Sequence, residues 1–180
     1  MGQIQTPRPV KLFVGMLAGA SHLFEVAEKD LTHKFGTVDI SSDIIPFDFT
    51  DYYQDEMGPG LQRKFIAFAD LVNPKELAPA KLFTNELETD ISERLGSERR
   101  LVNLDPGYIS LAKLVLASTK DYSHRIYLGD GIFAEVTLHY ANRQFNSWPW
   151  TYPDFKARSY HDFFERVRSQ YIETLKRVGI

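Results

Sequence analysis

Between Leu104 and Asp154 the chain concentrates side chains that can do chemistry. Arg125 and Tyr127 stand two apart before Gly129-Asp130-Gly131, and Phe133, Glu135, Thr137 and His139 stand two apart after it. A period of two is that of a β-strand, so the runs His124–Leu128 and Ile132–Tyr140 read as the arms of a hairpin. A three-residue loop at 129–131 puts Ile126, Leu128, Ile132, Ala134, Val136 and Leu138 on one face. Arg125, Tyr127, Phe133, Glu135, Thr137 and His139 then share the other, with Arg125 directly opposite Glu135. A two-residue loop would set Glu135 among Ile126 and Leu128, so the three-residue register is expected. Such a polar face can wall a cleft: Arg125 to hold an anion, Tyr127 to stack on a ring, Glu135 to orient a group or take a proton. A solvated outer face with one salt bridge is the plainer reading of the same residues.

Other groups fall near this hairpin. Lys113, Lys120, His124 and Arg125 lie close in sequence and could together hold a phosphate or carboxylate. Asp105-Pro106-Gly107-Tyr108 follows a short apolar run. It reads either as a plain turn, or as a strand end where Asp105 holds a metal or proton and Tyr108 touches a ligand. The aromatic run Trp148–Pro153 reads as packing for the last helix, with stacking on a base or sugar as the alternative. The five histidines form no metal-binding spacing, and there is no Gly-x-Ser-x-Gly elbow. Gly15–Ser21 leads from a strand into a helix, where backbone N–H groups could meet an anion. It lacks the Lys of a phosphate-binding P-loop and the spacing of a dinucleotide fingerprint.

The elements that must position these residues follow from periodicity and punctuation. Residues 1–9, with two prolines, read as a loose arm. Val10–Leu17 reads as a buried strand, and Ser21–Phe35 as a helix capped by Ser21 and stopped by Gly36. A strand is expected over 38–49, with Pro46 at an edge or bulge. A loop over 50–60 and a strand buried on both faces over 63–72 follow. A helix runs over 74–95, with Pro79 disturbing its first turn, and a short strand covers 101–104. This β-α-β-β-α-β order predicts an α+β fold with a ferredoxin-like split βαβ core over 10–104, an antiparallel sheet with both helices on one face. Ile109–Ser118 reads as a short helix, with a strand as the alternative. The hairpin, an irregular stretch over 142–153 and a long helix over 154–178 complete an extension over 105–180 of one domain, 1–180.

Composition sets bounds on function. The chain has 180 residues, 43% hydrophobic and 25% charged, enough for a sizeable core and against disorder. There is no cysteine, which excludes disulfides, thiol nucleophiles and iron–sulfur clusters and suits a reducing, cytoplasmic setting. No apolar run is long enough for a membrane span or a signal peptide. A net charge of −3 gives no general basic field for nucleic acid.

The stretch NLDPGYISLAKLVLASTKDYSHRIYLGDGIFAEVTL (Asn103–Leu138), with WTYPDF (Trp150–Phe155), KLFVGML (Lys11–Leu17) and KLFTNELE (Lys81–Glu88), resembles a bacterial family of about this length, catalogued as a domain of unknown function. The resemblance covers most of the chain. It implies a single-domain cytoplasmic protein and carries no catalytic residues. Some members bear a loose GTP-binding label, against which stands the missing P-loop.

These readings converge on a small-molecule binding or processing domain for an anionic ligand such as a nucleotide or phosphorylated metabolite. Lys113, Lys120, His124 and Arg125 would hold the anion, Tyr127 and Tyr108 would contact the ligand, and Asp105 or Glu135 would handle a proton or metal. The site is expected between the hairpin face, the Asp105–Tyr108 turn and the Gly15–Ser21 loop. A homo-oligomerising interaction module is the alternative, through Tyr127 and Phe133 on an uncovered sheet face. RNA binding on that face is weaker, because the strands lack the aromatic pattern of RNA-binding sheets.

Overall fold

The computed structural model describes residues 2–50 and 52–180. Met1, in the N-terminal arm, and Asp51, in the 50–60 loop, lie outside the described residues. Strand β1 (Val10–Ala18) is apolar along nearly its whole length and buried at every position, because other elements cover it on both faces. Its one charge, Lys11, reaches Asp39 and the carbonyl of Phe68, both at 2.7 Å, so the buried ammonium is paired and hydrogen-bonded.

Around β1 the described residues form an α+β fold with four α-helices and a nine-strand antiparallel sheet. The strands are β2 (Val38–Ser41), β3 (Ile45–Pro46), β4 (Gln62–Val72), β5 (Val102–Ile109), β6 (Lys113–Ser118), β7 (Arg125–Gly129), β8 (Ile132–Ala141) and β9 (Gln144–Ser147). Their order is β2-β4-β1-β5-β6-β8-β7, with β3 beside β4 and β9 beside β8. Helices α1 (Ser21–Phe35) and α3 (Leu77–Arg94) lie on one face. There Leu23, Phe24, Ala27 and Leu31 join Ala80, Leu87 and Ile91 over Leu12, Val14, Met16, Ile66 and Phe68. Helix α4 (Arg158–Arg177) covers the other face, where Phe163, Phe164 and Val167 meet Phe13, Phe65 and Leu138. Phe65 sits 4.7 Å from Tyr160 and 5.4 Å from Phe163 between ring centroids, contacts that each add about 0.5–1.5 kcal/mol beyond area burial. A fourth helix, α2 (Gln54–Met57), is a single turn inside the 50–60 loop.

Several expectations change. Asp105-Pro106-Gly107-Tyr108 is extended strand, not a turn, so β5 runs on to Ile109. Gly107 is required by close approach: a Cβ there would fall 2.6 Å from both Phe13 Cζ and the Val115 carbonyl oxygen. Ile109–Ser118 is not a helix; its aliphatic run forms β6 and pairs on both sides, with β5 and β8. The 38–49 strand is two short pieces at the sheet edge, with Pro46 in the second. The 142–153 stretch holds β9, which follows the turn at Asn142-Arg143, both at positive φ. Ser21 is the first residue of α1; the N-cap is Ala20, without a side-chain bond. Pro79 is accommodated in the first turn of α3, where backbone N–H groups have no helical partner. Helix α4 covers the central strands of the sheet face that also carries Tyr127 and Phe133, but Tyr127 itself stays exposed.

Candidate functional site

Pairing between β5 and β6 covers only Gly107–Ile109 against Leu114–Leu116. Before Gly107 the strands part, and a cleft of about 690 Å³ opens between them. The cause lies in α3. Glu88 Oε1 accepts the Leu104 N–H at 2.6 Å, and Lys81 Nζ donates to the Leu104 carbonyl at 2.9 Å. Seven residues apart on one helical stripe, these side chains satisfy the strand edge that β6 would otherwise pair. Pro106 presents the same edge and has no N–H to give.

The cleft is walled by four further pieces of chain. Phe47, Phe49, Tyr52, Tyr53 and Glu56 come from the segment around β3 and α2; Thr119, Lys120 and Tyr122 follow β6. Arg125 and Glu135 come from the β7–β8 hairpin, and Tyr152, Asp154 and Phe155 from the turn before α4. With Arg63, Lys81 and Arg100, the described lining holds five cations and five carboxylates: Glu56, Glu88, Asp105, Glu135 and Asp154.

The hairpin pairs Arg125 opposite Glu135 and Tyr127 opposite Phe133 as expected, but its loop is the two residues Asp130-Gly131 and not three, with a bulge between Tyr127 and Gly129 keeping the register. Its polar pair is buried, with both side chains no more than 2% exposed. Arg125 Nε donates to Glu135 Oε2 at 2.9 Å, Nη1 donates to Ser118 Oγ at 2.6 Å and to the Lys120 carbonyl at 2.8 Å, and Nη2 donates to the Tyr152 hydroxyl. Glu135 is equally engaged: Oε2 also meets His124 Nε2 at 3.1 Å, and Oε1 accepts from Thr137 Oγ1 at 3.1 Å. In this geometry the pair acts as a clamp tying the hairpin to the 118–120 turn and to Tyr152. The Trp148–Tyr152 segment lies over this face: Thr151 Oγ1 donates to the Thr137 carbonyl at 2.6 Å. His124 stacks between Tyr122 and Trp150, with centroids at 5.9 and 5.4 Å.

Of the remaining sequence candidates, Asp105 and Lys120 lie in the cleft. Lys120 is exposed, with its Nζ 2.5 Å from the Tyr52 hydroxyl and 4.2 Å from the Tyr52 ring centroid. Tyr127 lies outside the cleft, exposed against Phe133 at 5.2 Å. Tyr108 packs with the Leu77–Val115 cluster on the α3 face, and burial pushes its phenol up. Lys113 is exposed at the other end of β6, opposite His139. Of the Gly15–Ser21 segment, Gly15–Ala18 belong to β1, with Gly15 opposite Asp105 and Phe65, so only Gly19 and Ala20 link the strand to α1.

The residue that sequence reading missed is Arg63, on β4. Its side chain is 3% exposed and lines the cleft. Nη2 lies 3.4 Å from Asp154 Oδ2 and Nη1 lies 3.7 Å from Asp105 Oδ2, both long for charged hydrogen bonds. Nε and Nη1 make no well-formed hydrogen bond, and the Tyr160 hydroxyl, also without one, is the neutral oxygen beside the guanidinium. Gly15 leaves room for this group, since a Cβ there would come 3.3 Å from Nη1. The available signal was alternation: Arg63 continues the face of Phe65 and Ala67, so a guanidinium had to enter a buried layer.

The two carboxylates beside Arg63 differ. Burial works to raise the Asp105 carboxyl, but Lys81 at 3.2 Å, Arg63, and the Asn103 amide at 2.6 Å hold it below the usual carboxylate range. Burial wins at Asp154 and raises its carboxyl despite Arg63. It also raises Glu88 against Lys81 and Arg100, and pushes the Tyr160 phenol near Arg63 up to about 12. Carboxyls with pKa values pushed apart beside one cation can serve as proton donor and acceptor. Among the described residues, no group of three His, Asp or Glu could hold a metal ion, and no helix is long and apolar enough to cross a membrane.

Residues 8–171 match a family described as "Domain of unknown function (DUF4416)". No curated protein and no solved structure matches the chain.

Proposed function

The chain belongs to the DUF4416 family, whose description assigns no activity, and we propose from the cleft alone that it binds, and processes, an anionic small molecule such as a nucleotide or phosphorylated metabolite. The observation that carries this reading is Arg63: a buried guanidinium with two nitrogens lacking a well-formed hydrogen bond, at a cavity of about 690 Å³. Buried donors are almost always satisfied, and the oxygens of an anion are strong acceptors for a guanidinium. Lys120 at the mouth is a second contact, and the Tyr and Phe walls suit a flat group. Asp105 and Asp154 are placed to exchange protons with a ligand on Arg63, while Arg125 and Glu135 fix the wall. We also read the first half as a ferredoxin-like split βαβ unit extended by β6–β9 and α4. The order β2-β4-β1-β5, with α1 and α3 together on one face, supports that reading.

A homo-oligomeric module is the second reading, favoured by Ile126, Tyr127 and Leu128, all exposed on the edge strand β7. RNA on a sheet face has less support, since helices cover both faces of the central strands.

A thermal-shift screen with nucleotides, sugar phosphates and ring carboxylates tests the proposal. A ligand at one hundred times its Kd stabilises by about 2.7 kcal/mol. Arg63→Lys and Lys120→Ala should both weaken the hit, the second without loss of stability because Lys120 is exposed. If no anion raises the melting temperature, or both variants bind it like the wild type, the reading fails. A dimer by light scattering would then put the second reading in its place.

A further inference from the structure

The cleft contains many charges and almost no unbalanced charge. Its five cations face five carboxylates, and every carboxylate has a cation within 4 Å. Arg125 is fully engaged, and so is Arg100, which meets Glu56 at 3.2 Å, Glu88 at 2.9 Å, Asn103 and the Val102 carbonyl. Lys81 is held by Asp105 and the Leu104 carbonyl. Among the described lining residues, cationic nitrogens without a hydrogen bond to a protein carboxylate or carbonyl remain at two places, Arg63 Nε and Nη1 on the floor and Lys120 at the mouth.

An anion on Arg63 must also lie beside Asp105 and Asp154, which stand 3.7 and 3.4 Å from that guanidinium. The first negative charge completes a partly satisfied arginine. Each further charge held at Arg63 meets two carboxylates, with the one other free cation among the described lining residues, Lys120, out at the mouth, in a buried setting where repulsion is poorly screened. The walls carry seven aromatic rings, among them Phe47 over Arg63 at 5.2 Å. They suit a flat, weakly polar body better than a polyphosphate chain.

Resting on the proposal that this cleft binds an anion through Arg63, we infer that its ligand class is a ring-bearing molecule with one negative charge, a ring carboxylate or a phosphodiester, and not a polyphosphate. Calorimetric titration of the full chain at fixed ionic strength without magnesium provides the test. Cyclic AMP carries one charge, AMP two and ATP four on the same base, and 4-hydroxybenzoate supplies the carboxylate arm. One of the single-charge probes should bind at least about tenfold more tightly than ATP, since a few kcal/mol of like-charge repulsion spans more than one decade. Asp154→Asn should narrow that gap several-fold, because it removes one of the two repelling charges. ATP binding as tightly as either single-charge probe, or a gap unchanged in Asp154→Asn, overturns this inference and leaves the anion site standing. If none of the four binds, the site and the inference fall together.

Discussion

Replacing Glu135 by Gln distinguishes a clamp from a catalytic base. Arg125 and Glu135 are 1% and 2% exposed and joined at 2.9 Å. The substitution keeps the shape, deletes the charge and leaves a buried guanidinium without its carboxylate. Breaking a buried pair from one side costs about 3–5 kcal/mol. Ser118 Oγ, the Lys120 carbonyl and the Tyr152 hydroxyl still accept from Arg125, so the lower end applies, about 3 kcal/mol. For a chain of this length that is a fall in Tm of about 6–12 °C. Urea unfolding should show the midpoint shift with an unchanged slope. The double variant Arg125→Met, Glu135→Leu should recover most of the loss, because an apolar pair in a buried site leaves no unpaired charge. A Glu135→Gln protein within about 1 kcal/mol of wild type would refute the clamp, since loss of a catalytic base carries no such stability cost.

Two further outcomes follow from the same geometry. Gly107→Ala puts a methyl group 2.6 Å from Phe13 Cζ and from the Val115 carbonyl, which the β5–β6 pairing holds in place; it should cost about 3 kcal/mol in urea unfolding, and a cost below about 1 kcal/mol would mean the strands part easily there. Burial raises the Asp154 carboxyl above its ordinary 3.8, so its contribution to stability is full below that value and lost as pH rises through the folded value. Asn cannot ionise, so the stability of Asp154→Asn relative to wild type should climb as pH rises above about 4; a flat or falling difference contradicts the assignment.

Much of the fold was legible because the signals were local. The hairpin register came from a period of two and one Gly-Asp-Gly turn, and Arg125 does stand opposite Glu135. The apolar runs of β1 and β4 and the stripes of α1, α3 and α4 were likewise readable. Asp-Pro-Gly misled because its residues favour turns in isolation. In the folded chain Gly107 answers to Phe13 and Val115, and Pro106 stands where an N–H is not needed. Ile109–Ser118 was ambiguous for a similar reason, since a short aliphatic run takes its form from its neighbours, here β5 and β8. The site was half visible: Asp105, Lys120, Arg125 and Glu135 line the cleft, whereas Tyr108, Lys113 and Tyr127 point elsewhere.

By itself the sequence determined an α+β pattern, the hairpin pairing and the exclusion of thiol chemistry, since each depends on residue type or on spacing within a few positions. Only the tertiary structure decided that Arg125 is fully engaged and Arg63 only in part. Asp154, the nearest carboxylate to Arg63, is 91 residues away in the chain, and the parting of β5 and β6 that exposes both depends on two side chains of α3. Whether a buried charge is satisfied is a property of what surrounds it in space, and no local pattern encodes that.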